Sequence, residues 1–278
     1  MALSRNPESQ PAIHPTAIID PTARLAENVT VGAYAMIHAH AIVQEGNRIE
    51  AHAIIGPNTR IGKHNHIHPY AIIGTDSQDA KFQGEETGLI VGDHNIFREF
   101  VTINRATGQG SATRVGSHCR FLAYTHIAHN CVVEDGVIMA NCAELAGEVH
   151  IEKNAILGGL VGVHQFCRIG RHSIVGACSK VTQDIPPFIT ADGHPARPRG
   201  INSIGLRRHQ FSAEDIKKIK QAYKMIFRSG MRLEEALDVL EKQQGEMGAI
   251  QELVNFIRSS KRSIPRPRIS NEEPEDFI

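Results

Sequence analysis

Tryptophan is absent from this 278-residue chain, which carries only 4 tyrosines and 10 phenylalanines. Its core therefore has to be assembled from aliphatic side chains, as in stacked coils. Net charge is absent too. The 30 basic residues balance 30 acidic ones, which argues against a general nucleic-acid or membrane binder. No stretch approaches the roughly 20 apolar residues of a membrane span. Met1 to Gln10 is polar and lacks the apolar run of a signal peptide. The five cysteines (Cys119, Cys131, Cys142, Cys167, Cys178) include no C-x-x-C pair, so they give a zinc site little support. All five sit at or beside small inward positions of a repeat, where a thiol serves as a small apolar filler. A cytoplasmic location fits free thiols.

What the chain does have is rhythm. An apolar residue returns every six positions from Ile13 to Val181, and of the 29 positions in the series only Asp79, Glu85 and Gln109 are polar. Neither an α-helix nor an ordinary strand has a period of six, whereas hexapeptide β-helices do. Units such as Ile55-Gly56-Pro57-Asn58-Thr59-Arg60 show the rest of the pattern. The large aliphatic points inward, a small residue two places earlier tucks beneath it, and Gly or Asn is expected at the turn. Three such faces make a triangular coil of about 18 residues, a quasi-one-dimensional solenoid. The fold class is therefore mainly β, a parallel β-helix.

The pattern divides the chain into an N-terminal tail (1–12), the β-helix (13–186), a linker (187–210), a helical domain (211–262) and a tail expected to be disordered (263–278). Two stretches, Gly74 to Ile90 and Thr107 to Arg114, interrupt the repeat without losing its phase. Loops thrown off a rigid solenoid are common seats of binding groups. Pro186, Pro187, Pro195 and Pro198 break the pattern after Val181. A helix is predicted from about Phe211, capped by Ser212, with an apolar face from Ile216 to Phe227 and an end at Gly230. Two more are expected over 233–242 and 249–260. Between Arg197 and Lys224 stand eight basic residues and two acidic ones, either a solvated face or a docking surface for an acidic partner. The flat faces of such a solenoid suit self-association, with a cyclic trimer the expected form.

Most of the sixteen histidines fall in hexad turns or polar positions, His172 among them, and read as solvated. One cluster differs. It combines Thr125-His126-Ile127-Ala128-His129-Asn130 with Val163-His164-Gln165-Phe166-Cys167, two coils further on. At eighteen residues per coil, His129 stacks beside Gly147, and adjacent strands lie about 4.8 Å apart. An imidazole that titrates near neutrality suits a general base. A backbone N–H beside it suits an oxyanion.

Several motifs together carry a specific resemblance: Gln78-Asp79-Ala80-Lys81-Phe82-Gln83-Gly84-Glu85, Phe100-Val101-Thr102-Ile103-Asn104-Arg105, His126-Ile127-Ala128-His129, His164-Gln165-Phe166-Cys167 and Gly205-Leu206-Arg207-Arg208. The chain resembles the UDP-N-acetylglucosamine acyltransferases that begin lipid A synthesis in Gram-negative bacteria, from about Ile13 to Arg262. The resemblance implies a left-handed β-helix, a homotrimer, and sites at subunit interfaces. It implies transfer of an R-3-hydroxyacyl chain from acyl carrier protein to the sugar 3-hydroxyl, by direct attack without an acyl-enzyme. The acyl carrier protein, with its phosphopantetheine arm, and the UDP-sugar would be substrates, with no cofactor, metal or nucleic acid involved. His129 matches the family's base and Gly147 its oxyanion donor. Asp79, Lys81, His126 and Gln165 match residues that hold the sugar nucleotide. His164 matches a neighbour of the acyl or pantetheine arm. Asn202 and Arg208 match uridine and phosphate contacts, and Ala177 the residue limiting the depth of the acyl groove.

The chain departs from that pattern near the sugar. Asn130 replaces a frequent Asp, Glu148 and Asn104 each stand where a His is common, and Ile204 and His209 replace polar or basic residues. A carboxylate at Glu148 leaves open N-acylation of a 3-amino sugar analogue. A sister hexapeptide acyltransferase is another reading. A zinc carbonic anhydrase of the same fold is a third, needing His126, His129 and His164 to converge on a metal.

Overall fold

The computed structural model describes residues 12–243 and 248–266. From Ile13 to Val181 the backbone is built of short parallel strands, mostly two residues long, that pile into three sheets of nine, eight and eight strands, the last extended to ten by two strands after Val181. Register follows the eighteen-residue coil: Ile127 pairs with Leu145, Val133 with Ile151, and Met139 with Leu157. In each two-residue strand the second residue points inward. Ile55, Ile67, Ile73, Phe97, Ile103, Phe121, Ile127 and Ile151 are fully buried in the resulting column. The small residues two places earlier (Ala53, Ala71, Cys119, Thr125, Cys131, Ala143) are buried beneath them. Along one inner corner three asparagines form a ladder. Asn65 N–H donates to Asn47 Oδ1, Asn95 N–H to Asn65 Oδ1, and Cys119 N–H to Asn95 Oδ1, each at 2.8–2.9 Å. This satisfies backbone donors that water cannot reach.

The turns hold a surprise for the expected Gly or Asn. Along one corner the left-handed seat is taken by Tyr34, His52, Tyr70, Phe100 and Tyr124, all with φ near +60°. Such a conformation costs an L-residue about 1–2 kcal/mol. Stacking offsets it, because rings on successive coils lie parallel: Tyr34 on His52, His52 on Tyr70, Tyr70 on Phe100 and Phe100 on Tyr124, with centroids 4.9–5.2 Å apart. Two cysteines also occupy such seats. Cys178 is exposed and Cys142 half-buried, so only Cys119, Cys131 and Cys167 act as inward fillers. Burial pushes those three thiols up, to about 11 at Cys119 and about 12 at the other two.

The interruptions are insertions at one corner. Ile73 pairs with Ile103, thirty residues on, and Ile103 with Ile127, twenty-four on. The surplus is two hexads and then one, which is why the phase survives. The first loop leaves after Thr75 and returns at Gly88; the second leaves after Asn104 and returns at Ala112. The three polar positions in the hexad series all lie in these loops.

The stretch expected as a linker is structured. Ile189–Asp192 joins the ten-stranded sheet in parallel and turns back as the antiparallel Arg197–Ile201. Helix α1 follows, Ser203–Arg208, capped by Asn202. The prolines end the hexads without ending the sheet. This hairpin and the residues after it cover His172, which is 5% exposed and not solvated as expected. It lies against Phe188, His209 and Phe211, and burial lowers its pKa to about 4.

Helix α2 spans Ala213–Arg228, with Ser212 Oγ accepting from Asp215 N–H at 3.0 Å. It buries Ile219, Ala222, Tyr223, Ile226 and Phe227. Helices α3 (Leu233–Gln243) and α4 (Gly248–Arg258) complete the layer. Ile264 and Pro265 are buried, and Arg266 donates to the carbonyls of Ile226 and Met231. The chain is thus held as far as Arg266, past the expected start of a loose tail. Residues 267–278 of that tail, and 1–11 at the other end, lie outside the described residues.

Candidate active site

His126 lies on the nine-stranded face, and His129 in the turn that leaves it. One coil on, the same places are held by Glu144 and Gly147, and two coils on by Gly162 and Gln165. Asp79, His126, His129, Glu144, Gly147, His164 and Lys180 line one open cavity of about 490 Å³.

His129 is oriented from behind. Asn130 Oδ1 accepts from Thr107 N–H at 2.9 Å, while Asn130 Nδ2 donates to Thr107 O at 3.0 Å. The amide orientation is thereby set, and the same Oδ1 lies 2.9 Å from His129 Nδ1. Two donors on one carbonyl oxygen require the proton of His129 to sit on Nδ1. Nε2 is left with its lone pair toward the cavity, the tautomer a general base needs. Asp79 Oδ2 stands 3.9 Å from that Nε2, with side chains 18% and 22% exposed.

Gly147 is required by this arrangement. A Cβ at that position would overlap the His129 ring. Among the described residues its N–H makes no hydrogen bond, while the next N–H, of Glu148, donates to His129 O. His126 Nδ1 is 2.7 Å from Thr102 Oγ1, and burial lowers its pKa against the opposing charge of Glu144. His164 is exposed, with Nδ1 3.1 Å from Gln165 O.

The first loop is held by one buried cation. Arg105, 8% exposed, donates from Nε and Nη2 to Asp76 Oδ1 at 3.0 and 2.8 Å, and from Nη1 to Thr87 O at 3.4 Å. Its guanidinium also lies over Phe82, 5.1 Å from the ring centre. Start, middle and end of the loop meet one side chain, and Asp79 is carried between them. Lys81 is exposed, and its backbone N–H donates to Asp79 Oδ1 at 3.0 Å.

Five of the expected residues therefore share one cavity: Asp79, His126, His129, Gly147 and His164. Gln165 is exposed one rung beyond Gly147, and Glu148 is exposed in a left-handed turn; neither lines the cavity. Asn202 is 5% exposed and engaged, its Oδ1 accepting from Gly205 N–H and its Nδ2 donating to His172 O. It caps α1, while Arg208 ends that helix in solvent. Ala177 is exposed in the turn after Ile174–Val175. Within one chain these last three stand apart from the histidines. Sequence reasoning named Gln78 in a motif without giving it a role, and missed Glu144 and Lys180. Translating His126 by eighteen residues reaches Glu144, and by three coils Lys180, so the coil length held the signal. Among the described residues no group of three His, Cys, Asp or Glu side chains is arranged to hold a metal ion.

Comparison with known proteins places the chain in a family. Residues 184–265 match the family model described as UDP N-acetylglucosamine O-acyltransferase, domain 2. The acyl-[acyl-carrier-protein]–UDP-N-acetylglucosamine O-acyltransferase of Herminiimonas arsenicoxydans is 48% identical over 259 residues, covering 91% of this chain and 99% of its own. The chain belongs to the UDP-N-acetylglucosamine O-acyltransferase family. Solved members superpose closely. The LpxA of Acinetobacter baumannii matches with a TM-score of 0.88 at 39% identity, and that of Moraxella catarrhalis with 0.88 at 43%. Both comparisons cover 92% of this chain and all of the other. The winding is accordingly the left-handed parallel β-helix of this family. No helix is long and apolar enough to cross a membrane. Asn130 holds His129 and Thr107 by hydrogen bonds alone, without a negative charge.

Proposed function

We propose that this chain transfers an R-3-hydroxyacyl group from acyl carrier protein to the 3-hydroxyl of UDP-N-acetylglucosamine, the opening step of lipid A synthesis. The observation that carries the mechanism is the locked His129 tautomer facing Gly147. Nε2 takes the proton of the sugar hydroxyl as its oxygen attacks the thioester carbonyl. The Gly147 N–H donates to the resulting oxyanion. Collapse expels the pantetheine thiolate, which recovers the proton from the imidazolium. No acyl-enzyme forms, so no nucleophilic side chain is needed. Asp79 stabilises the transient imidazolium through its charge.

The remaining assignments suit a trimer in which a second copy completes each site. Asn202, Arg208 and Ala177 then act from the neighbouring subunit, the first two near the nucleotide and Ala177 at the end of the acyl groove. Lys81, His126 and Gln165 hold the sugar nucleotide, and His164 lies by the acyl or pantetheine arm. An exposed apolar seam supports the assembly: Tyr34, Tyr70, Phe100, Tyr124 and Leu160 all project from one corner of the prism. Family membership and free thiols favour the cytoplasm. The hydroxyl acceptor is preferred to the amine, in line with the O-acyltransferase relative at 48% identity.

The test is a transfer assay with carrier protein loaded with several 3-hydroxyacyl chains, offering UDP-N-acetylglucosamine or its 3-amino analogue. Ester formation is expected, lost by about 100-fold or more in His129→Ala, the usual size of a general-base contribution. Amide formation alone would move the acceptor to the amine. Turnover with neither sugar would reject the reading.

A further inference from the structure

A second groove, of about 760 Å³, lies on the eight-stranded face, on the other side of the two loops. Its floor is a ladder read from the register: Arg24 pairs with Ile42, Ile42 with Arg60, Arg60 with Ile90, and Ile90 with Arg114. Cations thus recur on every second rung, about 10 Å apart. Further along the same ladder, His150 and Arg168 are paired with Glu134 at 2.7 Å and Glu152 at 2.9 Å. Among the described residues no carboxylate lies within salt-bridge distance of Arg24, Arg60 or Arg114. In a chain whose charges balance, three unpaired guanidinium groups are gathered in one concavity, with Glu86 the single acidic residue in its lining.

The wall of the groove is made by the loops themselves. Gly110 N–H donates to Glu86 O at 2.9 Å, Gly88 N–H to Ser111 O at 3.0 Å, and Gly108 N–H to Glu85 Oε1 at 2.7 Å. One loop carries Asp79, and the other is clipped through Thr107 to Asn130 beside His129. The groove and the histidine cavity are therefore two sides of one stitched loop pair.

We propose that this groove binds a small anion bearing two or more phosphate groups, and that its occupation stiffens the loops that complete the histidine cavity. Arginine forks match phosphate oxygens bidentately, and Ile42 and Ile90 between them supply an apolar floor. The shared chemistry is the polyphosphate, free or carried by a nucleotide.

Titration calorimetry on the full chain with inorganic tripolyphosphate, at about 0.15 M salt where long-range attraction is screened, tests the site. One saturable site per chain is expected, retained in His129→Ala and not displaced by the UDP-sugar. In the double variant Arg60→Gln/Arg114→Gln, whose side chains are exposed, binding weakens at least about tenfold with an unchanged melting curve. Tripolyphosphate should slow protease cleavage within 76–87 in the native chain and not in the double variant. Tighter binding of ATP than of tripolyphosphate would add a base contact on the apolar floor; equal binding would assign the affinity to phosphates alone. No saturable binding, equal binding by the double variant, displacement by the UDP-sugar, or unaltered cleavage would overturn the proposal. None of these readouts uses acyl transfer, so they stand or fall apart from it.

Discussion

The proposed base, His129, is fitted to that task by its neighbours. The Asn130 amide is turned by Thr107, the turned amide puts the proton on Nδ1, and Gly147 leaves space for the ring. Gly147→Ala should fold normally, since the new methyl meets the edge of an imidazole at the surface rather than the packed column. It should lower kcat by about 100-fold or more, because a displacement of about 1 Å at a reacting group costs that much. A kcat within threefold of the parent would show that the ring has room to move. Asn130→Ala removes both the tautomer lock and the clip to the second loop. A kcat loss of about 10- to 100-fold with little change in KM is expected. A rise in KM alone would make Asn130 a loop anchor only.

Among the structural elements, the first loop depends most on a single side chain. Arg105 ties Asp76, Phe82 and Thr87 together from a nearly buried position. Lysine has one ammonium and no fork, so Arg105→Lys cannot reproduce the two-ended hold. The expected result is faster proteolytic nicking within 76–87 and weaker binding of the sugar nucleotide, with a melting temperature close to the parent's. Uniform loss of thermal stability without new cleavage would show the clamp to be part of the core. The loop's insertion was legible as an interruption that kept phase, and Asp79 as a motif residue. That Arg105 organises the loop was not legible, because an arginine after a strand gives no sign of where its guanidinium points.

For the molecule taken whole, the C-terminal closure sets an acid limit. His172 is buried against Phe188, His209 and Phe211 with its pKa lowered from 6.5 to about 4. The unfolded chain therefore binds more protons than the folded one between these two values. Stability is full above about 6.5, falls as pH drops through that window and levels off below about 4. At pH 5 this one group costs up to about 2 kcal/mol relative to pH 7. His172→Phe should flatten that slope in urea unfolding at pH 5 and 7. An unchanged slope would place the acid sensitivity elsewhere. The proposed assembly is checked by sedimentation: a mass three times that of the chain is expected.

The coil, its length, its inward aliphatics and the three helices that follow were readable from one dimension, because a repeat of six residues is a local rule that each hexad obeys separately. The His126 and His129 cluster was readable for the same reason, since eighteen residues of sequence is one rung of structure. The hairpin hidden under four prolines, the rings stacked on left-handed corners, the buried His172 and the Arg105 clamp came only with the folded chain. Each depends on which distant groups meet, and contacts between a loop and a strand, or between a hairpin and a prism end, follow no period that a sequence can display.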